Sequence, residues 1–497
     1  MAFINSFRFW QRHGSKVSFK DVSGFDLFYQ LIYLSAIASA GISRSQIFQL
    51  GSALPRVTAA YFLKIHLLCQ RLGYEYSRSC TLVGEAAKSE SMKTFLLRFS
   101  DALAAGQPES DFLDKEAEVQ GESYEKEYER DLASLTKWTD AYAAIAVSSA
   151  LIVIINLVSA LIYDLGMNMT IGLMITAVLT AGGGAWVISR AAQEDVKATF
   201  STDGPRLQRL ARRMLFICGP AALFAAALLV VLGAGLGITL LAAALILLPP
   251  GLTSVFAVRE IDKMDREVGS FLRSLGGMAT STGTTVAESL SRMDLSSFPH
   301  LKPHLEQLRW RLNAAIDPQL CWQRFTSETG SNLVRDTIEI FNDAVRLGGD
   351  SSVVADLASR LTVTTIALRA KREVVSSTFS WMTMLMHGVI ATLMVIILEV
   401  IARFSAMIAE SAAAVGQDAA VQSMSLPLPS FSTPQTELLR VMTTGMVVLL
   451  AGVNTLAIAA SDGGHKIKAV FFFSLLLAMS GASFILVPPL IAGIMQG

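Results

Sequence analysis

Apolar residues along this chain follow two kinds of pattern. Long runs with few interruptions cover about residues 141–163, 167–189, 214–233, 236–258, 379–402, 438–460 and 469–495. Each approaches the ~20 residues that a helix needs to cross ~30 Å of hydrocarbon. Stretches such as AYAAIAVSSALIVIINLVSALIY are free of charge, and a charge at mid-bilayer costs at least ~2.5 kcal/mol on insertion scales. In the two remaining blocks, residues 1–140 and 259–378, apolar residues recur at three and four and strand alternation is scarce, which predicts amphipathic helices. Leu96, Phe99 and Leu103 form one such stripe; Ile338, Phe341 and Val345 form another.

Composition agrees with the runs. Only 16% of the 497 residues are charged, well under the quarter typical of soluble domains. The predicted fold class is all-α: a polytopic membrane protein with about seven transmembrane helices and two repeated cytoplasmic helical bundles. Formal net charge is zero, so no nucleic-acid partner is expected. Cys69, Cys80, Cys218 and Cys321 lie far apart and suit neither a disulfide framework nor a zinc site.

Lysine and arginine set the orientation. The segment 189–213 carries Arg190, Lys197, Arg206, Arg209, Arg212 and Arg213, and the turn near Gly464 carries Lys466 and Lys468. Residues 404–439 carry neither lysine nor arginine. The positive-inside rule then places the N-terminus in the cytoplasm and the C-terminus outside. Arg8, Arg12 and Lys16 have no apolar core behind them, so no signal peptide is expected. FINSFRFW is read as a surface amphipathic segment or a frayed tail.

The chain repeats itself. FSDALAAGQP (99–108) and FNDAVRLGGD (341–350) share Phe-x-Asp-Ala and a glycine seven residues after the phenylalanine, Gly106 and Gly348, displaced by 242. Gly41 and Gly283 match at the same displacement. Gly106 and Gly348 fall where a helix should end, which suits a left-handed cap. The stretch DFLDKEAEVQGESYEKEYERDLASLTKWTD reads as a long charged helix running to the bilayer. The domain plan is therefore an N-terminal cytoplasmic or interfacial segment (1–28) and a first bundle (29–140). Membrane helices one to four follow over 141–258, with the basic cytoplasmic loop 189–213. A second bundle (259–378) leads to membrane helices five to seven over 379–497, with an extracytoplasmic loop at 404–437.

A repeated cytoplasmic bundle with an early glycine turn and a later Phe-x-x-Ala-x-x-x-Gly helix end resembles the type II secretion F-domain family. These are inner-membrane platforms of type IV pilus-like machines. Bacterial members typically have three membrane helices; about seven is similar to the archaeal members that serve the archaellum and adhesive pili. The resemblance implies a non-enzymatic platform without cofactors, a hexameric secretion ATPase docking on the cytoplasmic domains, pilin or archaellin subunits as cargo, and a homodimer in contact with membrane lipids. A secondary transporter and a membrane signalling scaffold are the other readings.

No Gly-Lys dipeptide occurs, so no Walker A loop is expected and any nucleotide hydrolysis falls to a partner. His300 and His304 stand four apart, as two metal ligands on a helix would, but Pro303 opposes a regular helix there outside its first turn; no metal site is expected. Glu399 and Arg403 are spaced for an ion pair. They and His387 are too few for a proton relay. The glycine runs 181–186 and 233–237 suit close helix packing, and Pro249-Pro250 and Pro488-Pro489 suit bends. Candidate partner contacts are Asp101 and Asp343, two residues beyond the stripe phenylalanines, and the arginines 206, 209, 212 and 213. Residues 1–98 carry 12 basic and 5 acidic side chains, 99–140 carry 4 and 12, and 259–378 carry 15 of each. A first block polarised in this way suits docking.

Overall fold

Every regular element among the described residues is a helix. The computed structural model describes residues 22–162, 167–193, 197, 204–415, 433–464 and 467–496. The reading of FINSFRFW and most of the loop 194–203 lie outside them. The helices are α1 Gly24–Ala38, α2 Arg44–Gly51, α3 Ala59–Leu72, α4 Tyr76–Glu85, α5 Glu90–Ala104, α6 Glu109–Ile162, α7 Met167–Ala191, α8 Arg206–Val231, α9 Leu236–Thr282, α10 Val286–Arg292, α11 Lys302–Asn313, α12 Pro318–Thr329, α13 Asn332–Arg346, α14 Ser351–Val415, α15 Thr433–Asp462 and α16 Lys468–Gln496. Seven of them (α6 to α9 and α14 to α16) are long and apolar enough to cross a membrane. The protein is an all-α polytopic membrane protein.

The internal repeat is written into the helix boundaries. The starts of α10, α12, α13 and α14 follow those of α2, α4, α5 and α6 by 286 − 44, 318 − 76, 332 − 90 and 351 − 109, each 242 residues. The ends of α5 and α13, at Ala104 and Arg346, keep the same displacement. Start signals repeat as well. Ser43 and Thr285 each cap a helix by accepting a hydrogen bond from the backbone N–H three residues on, at Gln46 and Glu288, satisfying an otherwise orphaned donor. Gly41, Gly106, Gly283 and Gly348 all have left-handed backbones, with φ of +69°, +69°, +64° and +99°. A Cβ at any of the four would meet nothing within 4 Å. Backbone conformation, and not space, calls for glycine there.

Two compact units divide the chain. The first comprises residues 1–130, 197–205 and 260–370; the second comprises 131–196, 206–259 and 371–497. Helices α6, α9 and α14, of 54, 47 and 65 residues, contribute to both. In the first unit the stripe residues Phe99 and Phe341 are each 1% exposed. Phe99 stacks between Phe95 and Phe112 at centroid distances of 5.5 and 5.3 Å, while Phe341 meets the edge of Trp322 at 6.5 Å. Burying such rings accounts for much of the stability of a helical bundle.

In the second unit, α9 and α16 approach backbone to backbone. A Cβ on Gly237 would lie 2.9 Å from the carbonyl oxygen of Gly481, and one on Gly251 would lie 2.6 Å from Phe471 Cα. Contacts that rise in number on α9 as they fall on α16 make the pair antiparallel. Small residues at such contacts let helices pack closely where no hydrophobic effect drives them together. Of the run 181–186, Gly184 has this role, against Tyr142. The proline pairs lie within continuous helices, and the Thr253 hydroxyl donates to the carbonyls of Pro249 and Pro250 at 3.1 and 3.0 Å. Helix α14 stays helical through Val415, well into the stretch 404–437 read as a loop; residues 416–432 lie outside the described ones.

Candidate functional site

Helix α1 of the first bundle packs on α13 of the second, and polar chemistry fills the seam. Asp336, Glu339 and Asp343 recur at three and four along α13, so they share one helix face. The Tyr29 hydroxyl donates to Glu339 Oε2 at 3.0 Å, and the Tyr33 hydroxyl donates to Asp343 Oδ2 at 3.1 Å. Arg56 completes the array. Its guanidinium donates to Asp26 Oδ1 at 3.1 Å and to Asp336, and it lies over the rings of Tyr29 and Phe25 at 4.6 and 5.3 Å. Tyr29 and Asp336 are 1% and 4% exposed, so these bonds operate away from bulk water.

Burial sets the proton equilibria here. Desolvation, reinforced by the charge of Asp336, pushes the Glu339 carboxyl up to about 7. Burial also raises Asp343, although the Tyr33 hydroxyl opposes it. Burial raises both phenols as well, so they remain donors. The seam is an acid-rich contact that protonation favours.

Arg372, 4% exposed, is the polar centre of the second unit. Its Nε donates to Ser461 O at 3.0 Å, Nη1 to Gln193 O at 2.8 Å and Nη2 to Ala460 O at 3.2 Å. Ser461 and Ala460 belong to the last turn of α15, and Gln193 follows the end of α7. The guanidinium therefore satisfies two orphaned carbonyls at the end of α15 and one just past the end of α7, where the macrodipole favours a cation. Gly463, with φ +63°, gives the guanidinium room: a Cβ there would lie 2.3 Å from Arg372 Cζ. The repeat counterpart of Arg372 is Arg130 (372 − 130 = 242), which is exposed.

A hydrogen-bonded chain crosses four helices of the same unit. The Tyr142 hydroxyl donates to Asn454 Oδ1 at 2.6 Å, and Asn454 Nδ2 donates to His387 Nδ1 at 3.2 Å. His387 Nε2 lies 2.9 Å from Ser480 Oγ, which donates to Leu476 O at 2.8 Å. With Asn454 so oriented, every atom is satisfied only if the imidazole carries its proton on Nε2. All four side chains are buried. Further along α14, Arg403 pairs with Glu399 at 3.2 Å, and Arg440 lies 3.9 Å from the same carboxylate.

The residues singled out from sequence have unlike surroundings. Asp343 is engaged within the chain by Tyr33, whereas its counterpart Asp101 is exposed. Arg206, Arg209, Arg212 and Arg213 are all exposed on the first two turns of α8. Pro303 sits in the first turn of α11, leaving His300 before the helix and His304 inside it. His300 Nδ1 lies 3.5 Å from Glu260, and burial lowers His304. No cluster of three metal-ligating side chains occurs among the described residues. Tyr29, Tyr33, Arg56, Arg372, Tyr142, Asn454 and Ser480 were not singled out. Only Arg372 left a trace, through its alignment with Arg130.

Comparison with known proteins gives two relatives. The chain is 22% identical over 308 residues to Flagella accessory protein J of Methanocaldococcus jannaschii, and 23% identical over 309 residues to Flagella accessory protein J of Methanococcus voltae. Each match covers 60% of this chain and 55% of the relative, so the chain spans little more than half the length of the curated relatives it matches. No family model and no solved structure matches the chain. The relatives agree with the archaeal-type platform resemblance carried by the sequence motifs.

Proposed function

We propose that this protein is the membrane platform of an archaellum or a related type IV pilus-like filament. One observation carries the reading. Two bundles repeated in register lead, five residues after corresponding helix ends, into long helices, α6 and α14, that continue unbroken into apolar runs. On this reading a shift of either bundle is carried into its membrane segment along the continuous helix, since sharp kinks in helices arise mainly at prolines, Gly/Ser pairs and π-bulges. On this reading a cytoplasmic hexameric ATPase supplies motion to the bundles, and the membrane helices present pilin or archaellin subunits to the filament base. Two copies of the chain work as a dimer, and the chain itself performs no chemistry. The names of the two relatives support the filament role. The proposed location is the cytoplasmic membrane, with the N-terminus inside and the C-terminus outside.

The test is negative-stain electron microscopy of cells lacking the gene, beside a complemented strain. Loss of one filament type, restored on complementation, is expected; unchanged filaments would remove this function. Rigid coupling has its own test. Ala133 and Ala367 are exposed on α6 and α14, so proline at either acts through the backbone and not through packing. Each variant should insert normally yet assemble no filament, and normal filaments from both would sink the coupling idea.

A further inference from the structure

Helix α8 carries a surface that the platform reading leaves unused. At 3.6 residues per turn, Arg206, Arg209, Arg212 and Arg213 fall within about 120° of its circumference. Phe216, Ile217, Leu223, Phe224 and Val231 continue the same face and are 70%, 71%, 76%, 70% and 83% exposed. The opposite side is the packed one. Ala211 and Ala222 are buried there, and the Thr253 hydroxyl of α9 lies 4.0 Å from the Met214 sulfur. One helix thus presents a cationic head followed by a continuous apolar stripe.

The head lies where the fold itself disfavours it. Four guanidiniums stand at a helix N-terminus, whose dipole already carries partial positive charge. Arg212 lies 5.9 Å over the Phe216 ring, and none of the four has an acidic partner among the described residues. The first-turn N–H groups add further donors aimed at an anion. At the end of α7 the pairing recurs, with Arg190 5.4 Å over Trp186, which is 60% exposed. Arginine and tryptophan at helix ends mark headgroup depth.

We propose that the arginine-bearing end of α8 is a binding site for an anionic phospholipid, with the headgroup phosphate on Arg206, Arg209, Arg212 and Arg213 and an acyl chain along the stripe that starts at Phe216. A free phosphate would use only the head. Large side chains dominate this face, with Pro220 and Ala227 among them, and a protein helix packs more closely where small side chains dominate. The charge and the apolar stripe together fit a lipid. This inference needs the membrane reading but not the filament role.

The test uses the full chain in detergent, with native mass spectrometry after addition of dioleoylphosphatidylglycerol or dioleoylphosphatidylcholine. The unaltered chain should retain the anionic lipid over the zwitterionic one by roughly ten-fold or more, because each arginine near an anionic headgroup contributes on the order of five-fold. The variant Arg206→Gln/Arg209→Gln/Arg212→Gln/Arg213→Gln should lose that preference. The corresponding lysine variant should keep most of it, which separates charge from misfolding. Equal retention of the two lipids would overturn the proposal, as would an unchanged preference in the glutamine variant. Loss of the preference to excess inorganic phosphate would reveal a free-anion site and overturn it too. A glutamine variant that keeps the lipid preference while cells lose their filaments would assign these arginines to a protein partner instead.

Discussion

Ala315 holds, in the second bundle, the left-handed backbone position that Gly73 holds in the first. The two are 242 residues apart, with φ of +55° and +68°. Each follows a repeat-related helix, α11 and α3. Ala315 is the one non-glycine residue with positive φ among the described residues. The second bundle has the same turn with a residue less suited to it.

Alanine in this conformation is strained by roughly 1 kcal/mol relative to glycine. Ala315→Gly is therefore expected to stabilise the protein by up to about that amount, less the added freedom of the unfolded chain. Gly73→Ala should destabilise it by a similar amount. Thermal unfolding of the purified full chain would show opposite shifts in Tm. A lower Tm for Ala315→Gly would refute the strain argument.

The seam between α1 and α13 should respond to pH. Glu339 is pushed up to about 7, first by burial and then by Asp336. A carboxyl raised above its ordinary value adds stability that is fully present below about pH 4.5 and is lost as pH rises through about 7. Asp336, Asp343, Arg335 and the Tyr29 hydroxyl are the groups acting on it. Glu339→Gln should remove this component and stabilise the seam at pH 8 by on the order of 1 kcal/mol. Hydrogen exchange in α1 and α13 at pH 6 and pH 8 reads it out: protection falls with pH in the natural protein and falls less in the variant. An unaltered pH dependence would assign the titration to another group.

Arg372 and Gly463 should behave as one device. Arg372→Met strips three carbonyls of their donor, at about 1–3 kcal/mol for each that stays dry. Gly463→Ala forces the guanidinium aside and strains a left-handed position. Since both act on the same cradle, the double variant should cost less than the sum of the two. Additive losses in thermal unfolding would mean that the glycine serves its turn alone.

The hydrogen-bonded chain of the second unit should contribute less to stability than the Arg372 cradle. Tyr142→Phe and Asn454→Leu should each destabilise by about 0.6 kcal/mol and by at most about 1.7, the average and the largest contribution of hydrogen bonds between membrane helices. Their effects should be coupled, because each removes the same bond. Full additivity in a double-mutant cycle would show that the chain is not a unit.

The helix plan was legible because its signals are local. Charge-free runs of about twenty residues specify membrane helices whatever surrounds them, and glycine at Gly41, Gly106, Gly283 and Gly348 marks turns through its own backbone freedom. The displacement of 242 was legible from four glycines and a short motif, and it recurs in the helix boundaries. Ala315 shows the limit of such signals. Nothing local marks an alanine as left-handed, although the displacement would have aligned it with Gly73.

The sequence by itself determined the helices, their apolar lengths and the segregation of charge, since each depends on neighbours within a few turns, and it showed the repeat because the same local signals recur 242 residues on. Tertiary structure alone decided what those charges do. Asp343 and Asp101 occupy equivalent positions in similar words, yet one meets Tyr33, 310 residues away in the chain, and the other faces outward. Arg372 and Arg130 differ in the same way, one caged by carbonyls and one exposed. The reason is physical: a buried polar group is defined by the partner that satisfies it, and that partner is brought close by packing and not by spacing along the chain.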